Sequence, residues 1–505
     1  MTEYQNIASN PKHSAWVSAS AGTGKTKVLI DRVLRLLLTG VSPEKILCIT
    51  YTKAAASEMQ NRINSKLSQW VIADETALKE QITNLTKQPP IAKTIQRART
   101  LFATVLESSD GVRIQTIHSF CETILKKFPQ EAGIPSHFQI IDDATANEMI
   151  DDTIIHLINE KQNQPLQEAI QALSLKFNAD SFKDTLKGII VLKDKFKTNE
   201  TWLLKNKIRE ILGVKNPDKD EYIKTFCEQI NREKIRQFAN VLNNGTKTEI
   251  ARADSLYAWL DNPDFNDYKA IFLTQKGEPR KSLMGKKSAE IYTNMFDFAL
   301  QQQEQVLTAN EHIKTIDILH ITEHLLTVAD YFLTSYEAQK QAKGLLDYAD
   351  LIIITNRLLQ QSAMSSWVLY KLDGGIEHLL LDEAQDTSPD QWEVISALIE
   401  DWFAGETSSE KERTIFVVGD KKQSIYSFQG AAPDIFLQKK EEFREMVQNA
   451  GKAWQDVPLD LSFRSTLPVL QLVDSVFNRD LTGISDEPIQ HVAHRKNDAG
   501  RAEIL

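Results

Sequence analysis

Apolar positions along the chain follow two rhythms that alternate. Short unbroken runs, Ala15-Trp16-Val17, Ile46-Leu47-Cys48-Ile49, Val112-Arg113-Ile114-Gln115, Leu379-Leu380-Leu381 and Ile415-Phe416-Val417-Val418, read as buried strands. Between them the apolar residues recur at helical spacing: Val28, Leu29, Val33, Leu36 and Leu37 after the first run, and Ala55, Met59, Ile63, Leu67 and Trp70 after the second. Strands alternating with amphipathic helices predict an open parallel α/β sheet flanked by helices. Residues 72–110 are helical in patches, broken at Pro89-Pro90. From about 122 to 340 only the helical rhythm remains, in runs such as Met149, Ile154, Ile155, Leu157 and Ile158, which predicts a large all-helical insertion domain. A last segment, Leu459 to Thr466, leads into a helix containing Leu470, Val473 and Phe477. The expected organisation is therefore 1–121 and 341–445 as two parts of one sheet domain, 122–340 as the helical insertion, and 446–505 as the start of a further domain.

The strand endings carry the chemistry. Five runs end at Ser18, Thr50, Thr116, Asp382 and Gly419, and in a parallel sheet such endings collect along one edge, where ligands bind. The first continues into Ala19-Ser20-Ala21-Gly22-Thr23-Gly24-Lys25-Thr26 and then a helix. Glycines in such a loop let backbone N–H groups turn onto an anion. Lys25 then reaches the outer phosphates and Thr26 offers a hydroxyl to Mg²⁺. Ala19 stands where the general G-x-x-x-x-G-K-[ST] pattern has its first glycine. Hydrolysis of a nucleoside triphosphate also needs an acidic Mg²⁺ partner, a base for water and a γ-phosphate sensor. Asp382, Glu383 and Gln423 supply those three roles, with Asp382 on the metal and Glu383 aimed at water.

Bulk properties narrow the partners. The 505 residues are 42% hydrophobic and 25% charged, enough for several globular domains. A net charge of −10 argues against coating nucleic acid by bulk charge and leaves room for a local basic groove. Residues 273–287 hold Lys276, Arg280, Lys281, Lys286 and Lys287 against Glu278, which fits either a solvated loop or a phosphate-contacting one. Cys48, Cys121 and Cys227 lack metal-ligand spacing and read as reduced, buried thiols. No apolar run approaches 18 residues, so a soluble, cytoplasmic protein without membrane contact is expected. Taken alone, Gln5 and His118 fit structural roles as well as functional ones.

The assembled peptides resemble the UvrD/RecB-like superfamily-1 DNA helicases, and within them the AddA branch of bacterial helicase–nucleases. SASAGTGKT is similar to that family's first motif, where alanine at the Ala19 position is usual. TYTKAAASEM at 50–59, LLLDEAQD at 379–386, VVGDKKQSIYSFQGA at 417–431 and LSFRST at 461–466 look like later motifs, and TIHSFC at 116–121, with the long gap to Asp382, favours the RecB/AddA type over the compact UvrD type. The resemblance implies a RecA-like P-loop NTPase fold, with 1–121 and 341–445 as motor domain 1A, 122–340 as a 1B-like insertion and 446–505 opening a second motor domain. It further implies ATP and Mg²⁺ as cofactors and 3′ to 5′ translocation on single-stranded DNA during double-strand break repair and recombination. Implied partners are DNA ends and an AddB-like subunit. By the same resemblance Gln5 reads the adenine edge, Lys27 stands where relatives pack an arginine on adenine, Phe463 stacks on the base and Arg464 is an arginine finger. Thr50, Tyr51, Thr52, Thr116, His118, Tyr426 and Phe428 would line the single-strand track. Gln429 departs from the arginine of many relatives. The family's fifth and sixth motifs have no counterpart before Leu505, so weak ATP binding, poor hydrolysis and no unwinding by this chain alone are expected; the alternative is an ATP- and DNA-binding fragment without helicase activity.

Overall fold

The computed structural model describes residues 2–108, 111–193, 201–361, 365–373, 375–403, 412–424, 432–479 and 490–501. Its main sheet is made of β1 (Ser14–Ala19), β2 (Ile46–Thr50), β3 (Arg113–Thr116), β6 (His378–Leu381), β7 (Thr414–Gly419) and β8 (Trp454–Leu459). These pair in the order β3-β2-β6-β7-β1-β8, all neighbours parallel. The intervening β4 (Gln139–Ile140) and β5 (Leu345–Leu346) pair separately. The inner strands β2, β6 and β7 are buried at every position, as helices on both faces require, and so they read as continuous apolar runs. The edge strands are partly exposed: β8 buries only Trp454, Val457 and Leu459.

Alternate residues point to opposite faces. On one face Trp16, Leu47, Ile49, Leu379, Leu381, Ile415 and Val417 pack with α6 (Ile117–Lys127) and the helices Tyr348–Asn356, Pro389–Phe403 and Pro433–Asn449. Trp16 anchors this layer, with its ring centroid 4.7 Å from that of Phe436 and 6.2 Å from that of Trp392. On the other face Ala15, Val17, Ile46, Cys48, Leu380, Phe416 and Val418 meet α2 (Lys25–Thr39), α3 (Lys53–Ile72), α4 (Glu75–Thr86) and α5 (Ala92–Glu107). A six-residue helix, α1 (Glu3–Ala8), precedes the sheet. The three cysteines are buried and unbonded, and no helix among the described residues is long and apolar enough to cross a membrane.

The chain divides into two compact units, 1–141 with 344–505, and 142–343. The helical unit starts at Asp142, not at 122, because Ile117, Phe120, Cys121, Ile124 and Leu125 of α6 bury into the sheet's core. Its described regular elements are helices joined by turns, with one short bridge between Leu273 and Pro279, and a 51-residue helix, Thr293–Lys343, runs through it. Phe238, Trp259, Tyr268, Phe272 and Phe298 form its aromatic core. At the other end, β8 joins the main sheet beside β1, so departure from that sheet falls after Leu459 and not at 446. There β9 (Leu461–Thr466) pairs in parallel with β10 (Val492–Arg495) in a two-stranded sheet.

At the amino edge of the main sheet lies a buried polar cluster. Ser14, His378 and Thr414 begin β1, β6 and β7. His378 Nδ1 lies 2.8 Å from Thr414 Oγ1, which also accepts from Arg32 Nη2 at 3.2 Å. Burial, then the Arg32 and Lys45 charges, push the His378 imidazole down to about 3, and burial with Arg32 pushes His13 down to about 4. Both rings are neutral in the folded protein, whereas the unfolded chain binds their protons below about 6.5. Stability supplied by the neutral rings is therefore intact above 6.5 and lost as pH falls toward 4, with a slope near 1.4 kcal/mol per pH unit for each ring. Urea unfolding at a series of pH values should show this loss, and His378→Asn should reduce the slope by about one proton.

Candidate nucleotide site

The loop between β1 and α2 turns through two glycines of positive φ, Gly22 and Gly24. Helices α3, α4 and α6 begin with a side-chain cap, from Thr52, Asp74 and Thr116. Helix α2, like α5, has no side-chain cap; its N-cap is Gly24, with φ 90°. Gly22 also has positive φ, 79°. Ala19 needs no such freedom: it ends β1 in extended conformation with its methyl in the core, which explains why alanine serves there. Within the loop Thr23 Oγ1 donates to Ser20 O at 2.7 Å.

Lys25, the first residue of α2, is the hub. Its Nζ donates to Glu383 Oε2 at 3.2 Å, after β6, and to Gln423 Oε1 at 3.0 Å, after β7. Gln423 Nε2 in turn donates to Asp420 Oδ2 at 2.6 Å and to Ala19 O at 3.4 Å. Gln385 ties the two strand ends together: its Nε2 donates to Glu383 Oε2 at 2.8 Å and its Oε1 accepts from Asp420 N at 3.0 Å. The three strand ends thus meet around one ammonium group. Glu383 adopts φ 49°, a left-handed conformation otherwise seen, among described non-glycine residues, only at Lys87. Such local strain is held by the surrounding bonds and aims the carboxylate at Lys25. Asp382 lies one residue back, its Oδ1 accepting from Glu383 N at 3.1 Å. Burial foremost, then the Glu383 charge, push the Asp382 carboxyl up to about 6, against the opposing pull of Lys25. A positive charge brought near this carboxyl would favour its ionised form.

The other residues singled out from the sequence have partners of their own. Gln5 is buried against the loop, with Nε2 donating to Thr23 O at 3.1 Å. Phe463 N donates to Gly22 O at 2.9 Å, and a Cβ at Gly22 would lie 2.7 Å from Arg464 Cβ, so β9 lies directly on the glycine tip. Lys27 points away into an ion pair with Asp31. Thr50 and Thr116 are paired in register at the ends of β2 and β3, and Thr52 and Thr116 cap the following helices. His118 packs edge-on against Tyr348, centroids 5.3 Å apart, and burial lowers its pKa. Tyr426, Phe428 and Gln429 lie outside the described residues. Sequence reasoning misses Asp420, Gln385, Tyr348 and His494, whose ring lies 4.8 Å from Phe463. Asp420 and Gln385 carry a readable signal, since each sits just past a strand end; Tyr348 and His494 carry none.

Comparison with known proteins agrees with this geometry. Residues 1–444 match the UvrD/REP helicase N-terminal domain. The chain is similar to a subunit of the ATP-dependent helicase/nuclease of Lactobacillus helveticus, 24% identical over 529 residues, which cover 95% of this chain and 40% of the relative. It is 27% identical to the proteins of that description from Lactobacillus johnsonii, over 95% of this chain and 40% of the relative, and from Listeria welshimeri, over 92% and 38%. The chain thus spans about two fifths of the length of these relatives. With an uncapped phosphate loop, strand-end carboxylates and a match over most of its length, this chain belongs to the family of the UvrD/REP helicase N-terminal domain.

Proposed function

We propose that the chain binds ATP with Mg²⁺ at the carboxyl edge of its sheet and hydrolyses it to drive movement along single-stranded DNA, 3′ to 5′, in double-strand break repair and recombination. The observation that carries this reading is Lys25 held at once by Glu383 and Gln423 from two other strand ends. In the nucleotide-bound protein the loop amides from Gly22 to Thr26 and the Lys25 ammonium bind the phosphates. Thr26 and Asp382 would hold Mg²⁺, which when bound neutralises charge on the phosphate oxygens. Once Lys25 turns to phosphate, Glu383 is released to orient and deprotonate the attacking water, and Gln423, still tied to Asp420, follows the γ-phosphate. Arg464 projects from β9 beside Gly22 as the finger that stabilises charge in the transition state, and Phe463 stacks on the base. Residues 142–343 serve as the 1B-like insertion of the first motor domain, and β9 opens the second.

Thr50, Tyr51, Thr52, Thr116, His118, Tyr426 and Phe428 form the DNA track, whose stacking platforms take any base. Tyr348, half-exposed and packed on His118, extends it. The partners in this reading are DNA ends and an AddB-like subunit, and the protein works in the cytoplasm.

Lys25→Ala should abolish binding of a fluorescent ATP analogue with the circular dichroism spectrum unchanged. Glu383→Gln should keep that binding and lower DNA-stimulated phosphate release by about 10²–10⁴-fold. Equal release rates in Glu383→Gln and wild type would leave a nucleotide- and DNA-binding protein without this catalytic base. Separately, His118→Ala and Tyr348→Ala should each weaken oligo-dT binding, read by fluorescence anisotropy, by about five- to a hundredfold. Unchanged affinity in both would remove them from the track.

A further inference from the structure

Two arginines on α2 do not reach the phosphate loop, yet they are buried and hold the segment that carries Gln5. Arg32 Nη1 donates to Ala8 O at 3.0 Å and to Asn10 O at 2.8 Å, and its Nη2 donates to His13 O and to Thr414 Oγ1. Its guanidinium lies 5.1 Å from the centroid of the Phe416 ring. Arg35 Nη1 donates to Asn6 O at 3.1 Å, its Nη2 to Asn6 Oδ1 at 2.6 Å, and its Nε to Leu85 O at 2.9 Å. Main-chain carbonyls of residues 6, 8, 10 and 13 are thus bound by one helix, the helix that Lys25 begins.

Burying two guanidinium groups side by side is unfavourable. Burial and then the Arg35 charge push Arg32 down to about 9, and burial also lowers Arg35, against the opposing pull of Asp31. The oxygens that meet Arg32 are neutral carbonyls and a hydroxyl, which return less than a carboxylate would. What the arrangement gains is a fixed place for a helix of only six residues, too short to stand alone.

The fixed place matters because of how the Gln5 carboxamide is used. Its Nε2 donates to Thr23 O at 3.1 Å and its Oε1 accepts from Thr2 N at 3.1 Å. Those two partners exclude the flipped amide, since a carbonyl cannot receive from Oε1 and an N–H cannot donate to Nε2. One N–H and one oxygen lone pair of the amide are left over. A donor and an acceptor side by side match the exocyclic amino group and ring nitrogen of adenine, and mismatch the two acceptors of guanine.

We propose that Arg32 and Arg35 are specificity-positioning residues: they pin α1 to the helix of the phosphate loop, so that Gln5 offers one fixed donor–acceptor pair to the nucleotide base. The proposal rests on the reading of Gln5 as the adenine-contacting residue. It assigns base discrimination to α2 at a distance from the base, through the carbonyls of residues 6–13.

The test is a set of equilibrium titrations with fluorescent ATP and GTP analogues in Mg²⁺, with inorganic tripolyphosphate as competitor. Wild type should prefer ATP by about tenfold, the worth of one well-placed polar contact. Gln5→Ala should bind the two equally, and Arg35→Gln should fall within about threefold of equality. Asn6→Ala, which removes one acceptor and leaves both arginines in place, should lie between and serves if Arg35→Gln fails to fold. Competition by tripolyphosphate should be unchanged in all folded variants. A wild-type ATP/GTP ratio in both Arg35→Gln and Asn6→Ala would overturn the proposal, as would a parallel loss of both nucleotides and tripolyphosphate. Wild type that binds tripolyphosphate without preferring ATP overturns the clamp and leaves the phosphate site standing. Wild type that binds none of the three overturns the nucleotide reading and the clamp with it.

Discussion

The structure depends on the contact of one ammonium group with two strand ends. Lys25 opens a helix whose N-terminus carries no cap, and it is met by Glu383 and Gln423 from β6 and β7. Only a parallel sheet brings that about, because parallel strands deliver every carboxyl end to the same edge. The order β6-β7-β1 then puts the two acidic and amide-bearing loops beside the phosphate loop and leaves β2 and β3, with Thr50 and Thr116, further along the same edge. The carboxylate- and amide-bearing strand ends and the threonine-bearing ones thereby share one edge while lying on different strands.

The opposite edge shows the converse arrangement. There Arg32, His378, Thr414 and Ser14 are bonded among themselves and to main chain. At the carboxyl edge Lys25 is satisfied by the side chains of Glu383 and Gln423. Glu383 is kept in a strained backbone conformation by Gln385 and the β6 turn. Both sets of contacts are made from the same fifteen-residue helix.

Much of this is legible in the sequence, for a physical reason. Inner strands buried on both faces appear as unbroken apolar runs, so β2, β6 and β7 announce themselves, and their polar endings mark the site. Strand β8 is an edge strand with exposed Gln455, Asp456 and Pro458, so it lacks that signature and its place beside β1 is not readable. Periodicity sets the start of the helical unit too early because α6 has the same helical period whether it packs on a sheet or on helices. The backbone of Glu383 and the commitment of Arg32 and Arg35 to residues 6–13 depend on contacts between distant segments, which no local pattern encodes.

A crystal structure of the chain with Mg²⁺ and a non-hydrolysable ATP analogue tests the central claim most directly. The account predicts the phosphate chain against the amides of Gly22 to Thr26, with Lys25 Nζ turned from Glu383 to the oxygens of the outer phosphates. Nucleotide bound elsewhere, or Lys25 still paired with Glu383 in the complex, would contradict it.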